Sequence, residues 1–262
     1  MFEFSYMRRA LLVGAFLGAV LPMIGVVLVN RRTPVLGDAL SHVSLAGVIA
    51  GLLLGINPIA GAMFMSVVAA LSIEGIRRRF PTFGELSTAM VLSTGIGMAS
   101  LLSGFIKGGQ GYDSFLFGSI VSVSNAEMFV VIGISLVITF VFVFLYQDLL
   151  YISVDPEGAE IAGVKTSRVN FIFTLMTAFV ISVASRTVGV LLISSLMILP
   201  VACALRVAKS YRQTVLWSSA FGVLFTLIGL TLAYYLGLKP GGAIVLTAVA
   251  CFLILLAFYR SE

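Results

Sequence analysis

The sequence predicts an all-α, polytopic membrane protein, and three observations carry that prediction. Hydrophobic side chains make up 60% of the 262 residues and charged ones only 10%, whereas a soluble chain carries roughly a quarter charged residues to wet its surface. The charges are clustered, and the apolar runs between them are about 20 residues long, the length of a helix that crosses a hydrocarbon core of ~30 Å. No ten-residue stretch alternates apolar and polar side chains, as the strands of an outer-membrane barrel must. Backbone polar groups in lipid have to be satisfied within their own segment, so the runs are helices.

In chain order the apolar segments are 10–29, 35–56, 59–76, 86–106, 127–146, 169–185, 187–205, 213–236 and 243–259. They make nine crossings of one transmembrane domain, 1–262. The first follows Arg8 and Arg9 as a secretory signal would, but it runs on to Val29 without a small-residue cleavage site and reads as a retained span. Asn57 and Pro58 separate the second and third spans, and Ser185, Arg186 and Thr187 the sixth and seventh. Each joint suits either a tight turn or a break in one bent helix. Pro22 and Pro200 lie inside spans and kink them. Segment 107–126 opens Lys-Gly-Gly-Gln-Gly, and its apolar part is too short to cross, so a half-helix or re-entrant piece packed on protein is expected. Segment 147–168 contains Asp155-Pro-Glu-Gly-Ala-Glu-Ile-Ala-Gly, which reads as a short helix. Pro156 suits its first turn, Glu157 and Glu160 favour its N-terminal half, and Gly163 ends it.

The net charge of +5 does not point to nucleic acid, because the basic residues sit at the ends of apolar runs, where they set topology. With 147–168 in the cytoplasm, Arg31, Arg32, Arg77, Arg78, Arg79, Lys165, Arg168, Arg206, Lys209, Arg212 and Arg260 all fall inside. Only Arg8, Arg9, Lys107, Arg186 and Lys239 fall outside. This bias places the N-terminus outside and the C-terminus inside.

Asp38 and His42 stand out chemically. Four residues apart, they share one helix face. Counted from Arg31 and Arg32, His42 lies ~15 Å into the membrane, where an ionisable side chain costs several kcal/mol unless it meets protein, water or a partner. A carboxylate and an imidazole at this spacing suit a borderline metal such as zinc or manganese. A buried Asp–His hydrogen bond that fixes the bundle is the structural alternative. The same helix carries Gly47, Gly51 and Gly55, a ridge for close packing. His42 is the only histidine, which excludes a multi-histidine centre within one subunit.

Other positions are less specific. Ser87, Thr88, Ser93, Thr94, Ser194 and Ser195 are candidates to line a passage, although hydroxyls more often bond to their own helix carbonyls. Met23, Met63, Met65 and Met90 fill a core more readily than they ligate metal, and Cys203 and Cys251 read as buried thiols. Glu74 and Arg77 suggest a surface ion pair at spacing i,i+3. Enzyme readings fail on inventory. There is no His-Glu-x-x-His pair, no second membrane-embedded aspartate beside Asp38, and no Gly-x-x-x-x-Gly-Lys phosphate loop.

The run Arg31-Arg-Thr-Pro-Val-Leu-Gly-Asp-Ala-Leu-Ser-His-Val-Ser-Leu-Ala-Gly resembles the signature of the zinc/manganese (ABC-3) family of ABC importer permeases, in which a basic pair precedes a Gly-Asp-x-x-Ser-His-x-x-x-x-Gly helix. Further on, Leu116-Phe-Gly-Ser-Ile-Val-Ser-Val-Ser resembles the family's Leu-Phe-Gly segment, 155–164 its Asp-x-x-x-Ala-x-x-x-Gly segment, and 191–206 its late Pro-Ala helix, written here Pro200-Val-Ala. The resemblance implies an architecture like that of type II ABC importers in the bacterial cytoplasmic membrane. Two copies of the permease would pair as a homodimer with two cytoplasmic ATPase subunits that hold the ATP, and an extracytoplasmic metal-binding protein would deliver the ion. It further implies that Asp38 and His42 face the transported Zn2+ or Mn2+, with no permanently bound cofactor. Asp155, Glu157, Ala159, Glu160 and Gly163 would belong to a coupling helix that docks into the ATPase. Glu85-Leu-Ser-Thr-Ala and Phe4-Ser-Tyr-Met-Arg-Arg-Ala look closer to zinc-type members. The rival readings are an ion-coupled secondary transporter, which needs no docking helix, and a siderophore or vitamin permease, which needs no intramembrane Asp–His pair.

Overall fold

The computed structural model describes residues 5–80, 84–106, 115–116, 118 and 123–258. Within them the chain folds as α1 (Ser5–Asn30), α2 (Val35–Leu54), α3 (Pro58–Arg79), α4 (Gly84–Ser103), α5 (Asn125–Phe144), α6 (Tyr146–Val154), α7 (Pro156–Ile161), α8 (Thr166–Ala184), a π turn (Ser185–Gly189), α9 (Val190–Val207), α10 (Tyr211–Leu236) and α11 (Pro240–Phe258). Most of segment 107–126 lies outside the described residues, and with it the expected half-helix.

Eight helical runs among the described residues are long and apolar enough to cross a membrane. One of them, Thr166–Val207, has 42 residues and would extend ~63 Å if straight. It is not straight. Near its start Asn170 accepts a hydrogen bond from Arg31 Nη1 at 2.7 Å, and Tyr211, just past its end, also sits beside Arg31. The run therefore goes out and returns. It reverses at the π turn, where Gly189 adopts φ 98° and ψ 137°, a backbone open to glycine and strained for other residues. Its two arms, Thr166–Ala184 and Val190–Val207, are separate helices, so the described residues hold nine helices of about spanning length, and the joint at Ser185, Arg186 and Thr187 is a turn.

The bundle is seamed by small residues. A Cβ on Gly18 of α1 would lie 2.7 Å from the Gly222 carbonyl oxygen of α10, so the two backbones touch. Lipid is as apolar as leucine, and close backbone packing of this kind is what holds helices together there. Pro22 and Pro200 lie inside α1 and α9, as expected. Two polar ends bound the bundle. One carries Arg9, which donates to Asn125 at 3.2 Å, and Arg186, which pairs with Glu127 and lies 5.8 Å from the Phe115 ring centroid. The other, the basic end, gathers Arg31, Arg77, Arg78 and α7.

Candidate functional site

The second helix places Asp38 and His42 as a pair with no bonds of its own. From Val35 to Ile49 every residue of α2 is buried except Val35, Asp38 and His42. These three fall at spacing i, i+3, i+7, one stripe along the helix. Asp38 lies in the first turn, where the helix dipole favours a negative group. Because α2 starts only at Val35, His42 stands about 10 Å above the start of the helix, shallower than the ~15 Å counted from the arginine pair. Neither side chain hydrogen-bonds or ion-pairs with the other or with any of the described residues. The Asp–His hydrogen bond of the structural alternative is not formed. No third His, Cys, Asp or Glu joins them to make a metal cluster among the described residues.

What holds the pair in place is backbone packing. A Cβ on Gly47 would fall 2.9 Å from Ala62 Cα, and one on Gly51 would fall 3.0 Å from Pro58 Cα, so α3 lies directly against this face of α2. On a neighbouring face α4 crosses at Gly95, where a Cβ would meet the Val43 nitrogen at 2.9 Å and the His42 carbonyl carbon at 3.2 Å. Sequence reasoning did not single out Gly95. Gly55 is a correction: it packs on nothing and instead caps α2 at φ 68°, with the Ile56 N–H donating to the Gly51 carbonyl, a Schellman ending.

Several other expectations resolve locally. Ser87 and Thr88 donate to the Gly84 carbonyl and Thr94 to that of Met90, the commoner use of helix hydroxyls. Glu74 does not pair with Arg77. It is buried, and its Oε1 accepts from Arg78 Nε at 3.1 Å, because spacing i,i+4 aligns the two side chains over one turn of α3. The Glu127–Arg186 pair was missed, although Ser124-Asn-Ala-Glu127 before an apolar run was a readable signal. Ser124 and Glu127 form a capping box, in which each side chain satisfies the other's backbone N–H.

The short helix of the polar loop forms as its residues dictate. Asp155 caps α7 by accepting from the Gly158 N–H at 2.9 Å, Pro156 occupies the first turn, and Gly163 turns the chain at φ 88°. Ala159 is buried and anchors the helix, Glu157, Glu160 and Gly163 are exposed, and Ile161 is 89% exposed. The helix thus presents a bare aliphatic tip at Ile161.

Comparison with known proteins bears on the fold and the family. The family model of the ABC 3 transport family matches residues 3–259. A "Probable metal transport system membrane protein" of Treponema pallidum is 34% identical over 98% of this chain and 97% of its own length. The "Manganese import system permease protein ScaB" of Streptococcus parasanguinis is 30% identical over 96% of this chain and 90% of its own. Among solved structures, "PsaBC from Streptococcus pneumoniae in complex with Fab" superposes with a TM-score of 0.86 at 28% identity, covering 97% of this chain and 92% of that one. The match over nearly the whole length, on an all-helical bundle with these spans, leads to one conclusion: the chain belongs to the ABC-3 transport family and is a multi-pass permease subunit of a metal-ion ABC importer in the bacterial cytoplasmic membrane.

Proposed function

We propose that Asp38 and His42 touch the ion in transit, that the ion is manganese or zinc, and that a separate ATPase drives its passage through α7. The observation that carries this reading is the single open stripe of α2. From Val35 to Ile49 the helix is buried on every other side and leaves one carboxylate and one imidazole without a hydrogen-bond partner among the described residues, and such groups are costly inside a membrane unless they serve a ligand. An oxygen and a nitrogen donor suit either metal. Two protein ligands leave positions for water or for a second copy of the chain, so the ion is not trapped. The zinc expectation rested on the stretches around Phe4 and Glu85. Glu85 lines a cavity at the basic end with Arg31 and Arg77 and supplies no donor to the stripe. The streptococcal relative is named for manganese, so manganese is the first ion to test.

The basic end is assigned to the cytoplasm by its arginines, which puts α7 on the ATPase side. A secondary transporter has no use for this exposed helix. The test is uptake in proteoliposomes containing the permease, its ATPase and its binding protein. Asp38→Asn and His42→Ala should each cut manganese and zinc uptake at least about tenfold, and Asp38→Glu should retain part of it. Full uptake by a folded His42→Ala protein ends the metal-site reading and leaves the family assignment standing. For the coupling step, Ile161→Asp should abolish transport-linked ATP hydrolysis without disturbing the fold. Gly158→Trp is a poorer probe, because its side chain would collide with the capping Asp155 carboxylate.

A further inference from the structure

We propose that the basic end holds an anion site for a phosphate group, in the cavity between the α1–α2 connection and α7. The site is separate from the Asp38–His42 stripe. The cavity has a volume of about 400 Å³ and is lined by Arg31, Arg32, Arg77, Asn170 and Ser153, with Glu85 as the sole carboxylate in its wall. Three arginines against one carboxylate make it repel a divalent cation, so the metal does not travel through it.

Arg31 is the centre of the argument. Its Nη1 donates to Asn170 and its guanidinium carbon lies 5.2 Å from the Phe173 ring centroid. Its Nε and Nη2 are buried without a hydrogen-bond partner. Glu74 supports the charge on Arg31 electrostatically but makes no hydrogen bond to it: its Oε1 accepts from Arg78 and its Oε2 has no partner. Burial pulls the Arg31 guanidinium down to about 10, so at neutral pH it remains charged while bearing the cost of desolvation.

Two independent features point the same way. Arg32, on the same wall, is the only non-glycine residue with positive φ among the described residues, at 56°, and strain of this kind clusters at ligand-binding positions. The twenty-residue α2 begins at the cavity rim without a side-chain cap, so its N-terminal dipole adds positive potential. Guanidinium groups match phosphate oxygens in geometry and charge. At the membrane boundary such a phosphate is either the headgroup of an anionic lipid or a free phosphate from solution. Because Ile152, Ser153 and Pro156 form the opposite wall, an occupant would tie the base of α2 to the start of α7.

The test is the melting temperature of the full-length permease. In detergent, inorganic phosphate is compared with chloride at equal ionic strength. In nanodiscs, phosphatidylcholine with added phosphatidylglycerol is compared with phosphatidylcholine alone. A rise of roughly 5 °C is expected in at least one arm. A rise with phosphate in detergent identifies a free-phosphate site, and a rise only with phosphatidylglycerol identifies a headgroup site. Native mass spectrometry of the wild type should show the corresponding adduct. Arg32→Gln and Arg77→Gln should each reduce the rise and the double variant should abolish it, while Arg206→Gln, an exposed arginine on α9, should leave it intact. No rise in either arm overturns the proposal. So does a rise that survives in the double variant, which would be general salt stabilisation, or one that Arg206→Gln reduces equally, which would be nonspecific charge.

Discussion

Two faces of α2 use the same helix for opposite ends. On one, Gly47 and Gly51 bring the α3 backbone into contact. No side chain intervenes, and the geometry is set by main-chain atoms. On the other, Asp38 and His42 stand half-buried and unbonded. The difference teaches how a polar pair is positioned without being satisfied. The glycine seam fixes the helix so firmly that the pair needs no hydrogen bonds for orientation, which leaves its donor atoms free. Other charged side chains in the bundle are held by a partner: Glu127 by Arg186, Arg9 by Asn125, and one oxygen of Glu74 by Arg78.

The comparison makes stability and transport separable, and a graded series of substitutions tests it. The largest loss of stability is expected from Gly47→Val. Backbone lies where the new side chain must go, and overpacking that neither helix can relieve should exceed about 3 kcal/mol. Loss of the folded peak in size-exclusion chromatography is the expected result, and a normally folded Gly47→Val protein would break the seam argument. Next comes Arg186→Gln. It leaves Glu127 without its partner, and because the pair is partly exposed the cost should be about 1–2 kcal/mol, read as a melting point several degrees lower.

A smaller effect is expected from Gly55→Ala, at about 1 kcal/mol, the penalty of a left-handed backbone for a residue with a Cβ. A loss as large as that of Gly47→Val would mean that Gly55 packs after all. The smallest change in melting temperature belongs to Asp38→Asn and His42→Ala, within roughly 2 °C of wild type, since neither removes a bond the fold uses. A marked drop for either would show that the open face serves structure, and the contrast between the faces would collapse.

Much of this was readable residue by residue. Pro156, Asp155 and Gly163 act locally through a fixed φ, a side-chain acceptor and a positive φ, so the limits of α7 followed from sequence. The shared face of Asp38 and His42 followed from helical periodicity. Gly55 misled because a four-residue glycine repeat has the same spelling in a packing ridge and at a C-cap, and only the end of the helix distinguishes them. Arg31 and Gly95 were unreadable as site elements because each matters through a residue far away in the chain, Asn170 for one and Val43 for the other.

By itself the sequence determined the class, the spans, the likeness to metal-importer permeases and the two residues with metal-binding chemistry. These depend on composition, period and local backbone preference, which each segment carries with it. Only the tertiary structure decided that the 42-residue run doubles back, that Glu74 is buried and paired with Arg78, that one polar stripe stays open between Val35 and Ile49 of α2, and that three arginines wall one cavity. Those facts depend on which helices touch and at what depth. Nearly every span here is apolar on all sides, so hydropathy does not say which face meets protein and which meets lipid. That choice was made by the glycines, through backbone contacts that no pattern along the chain records.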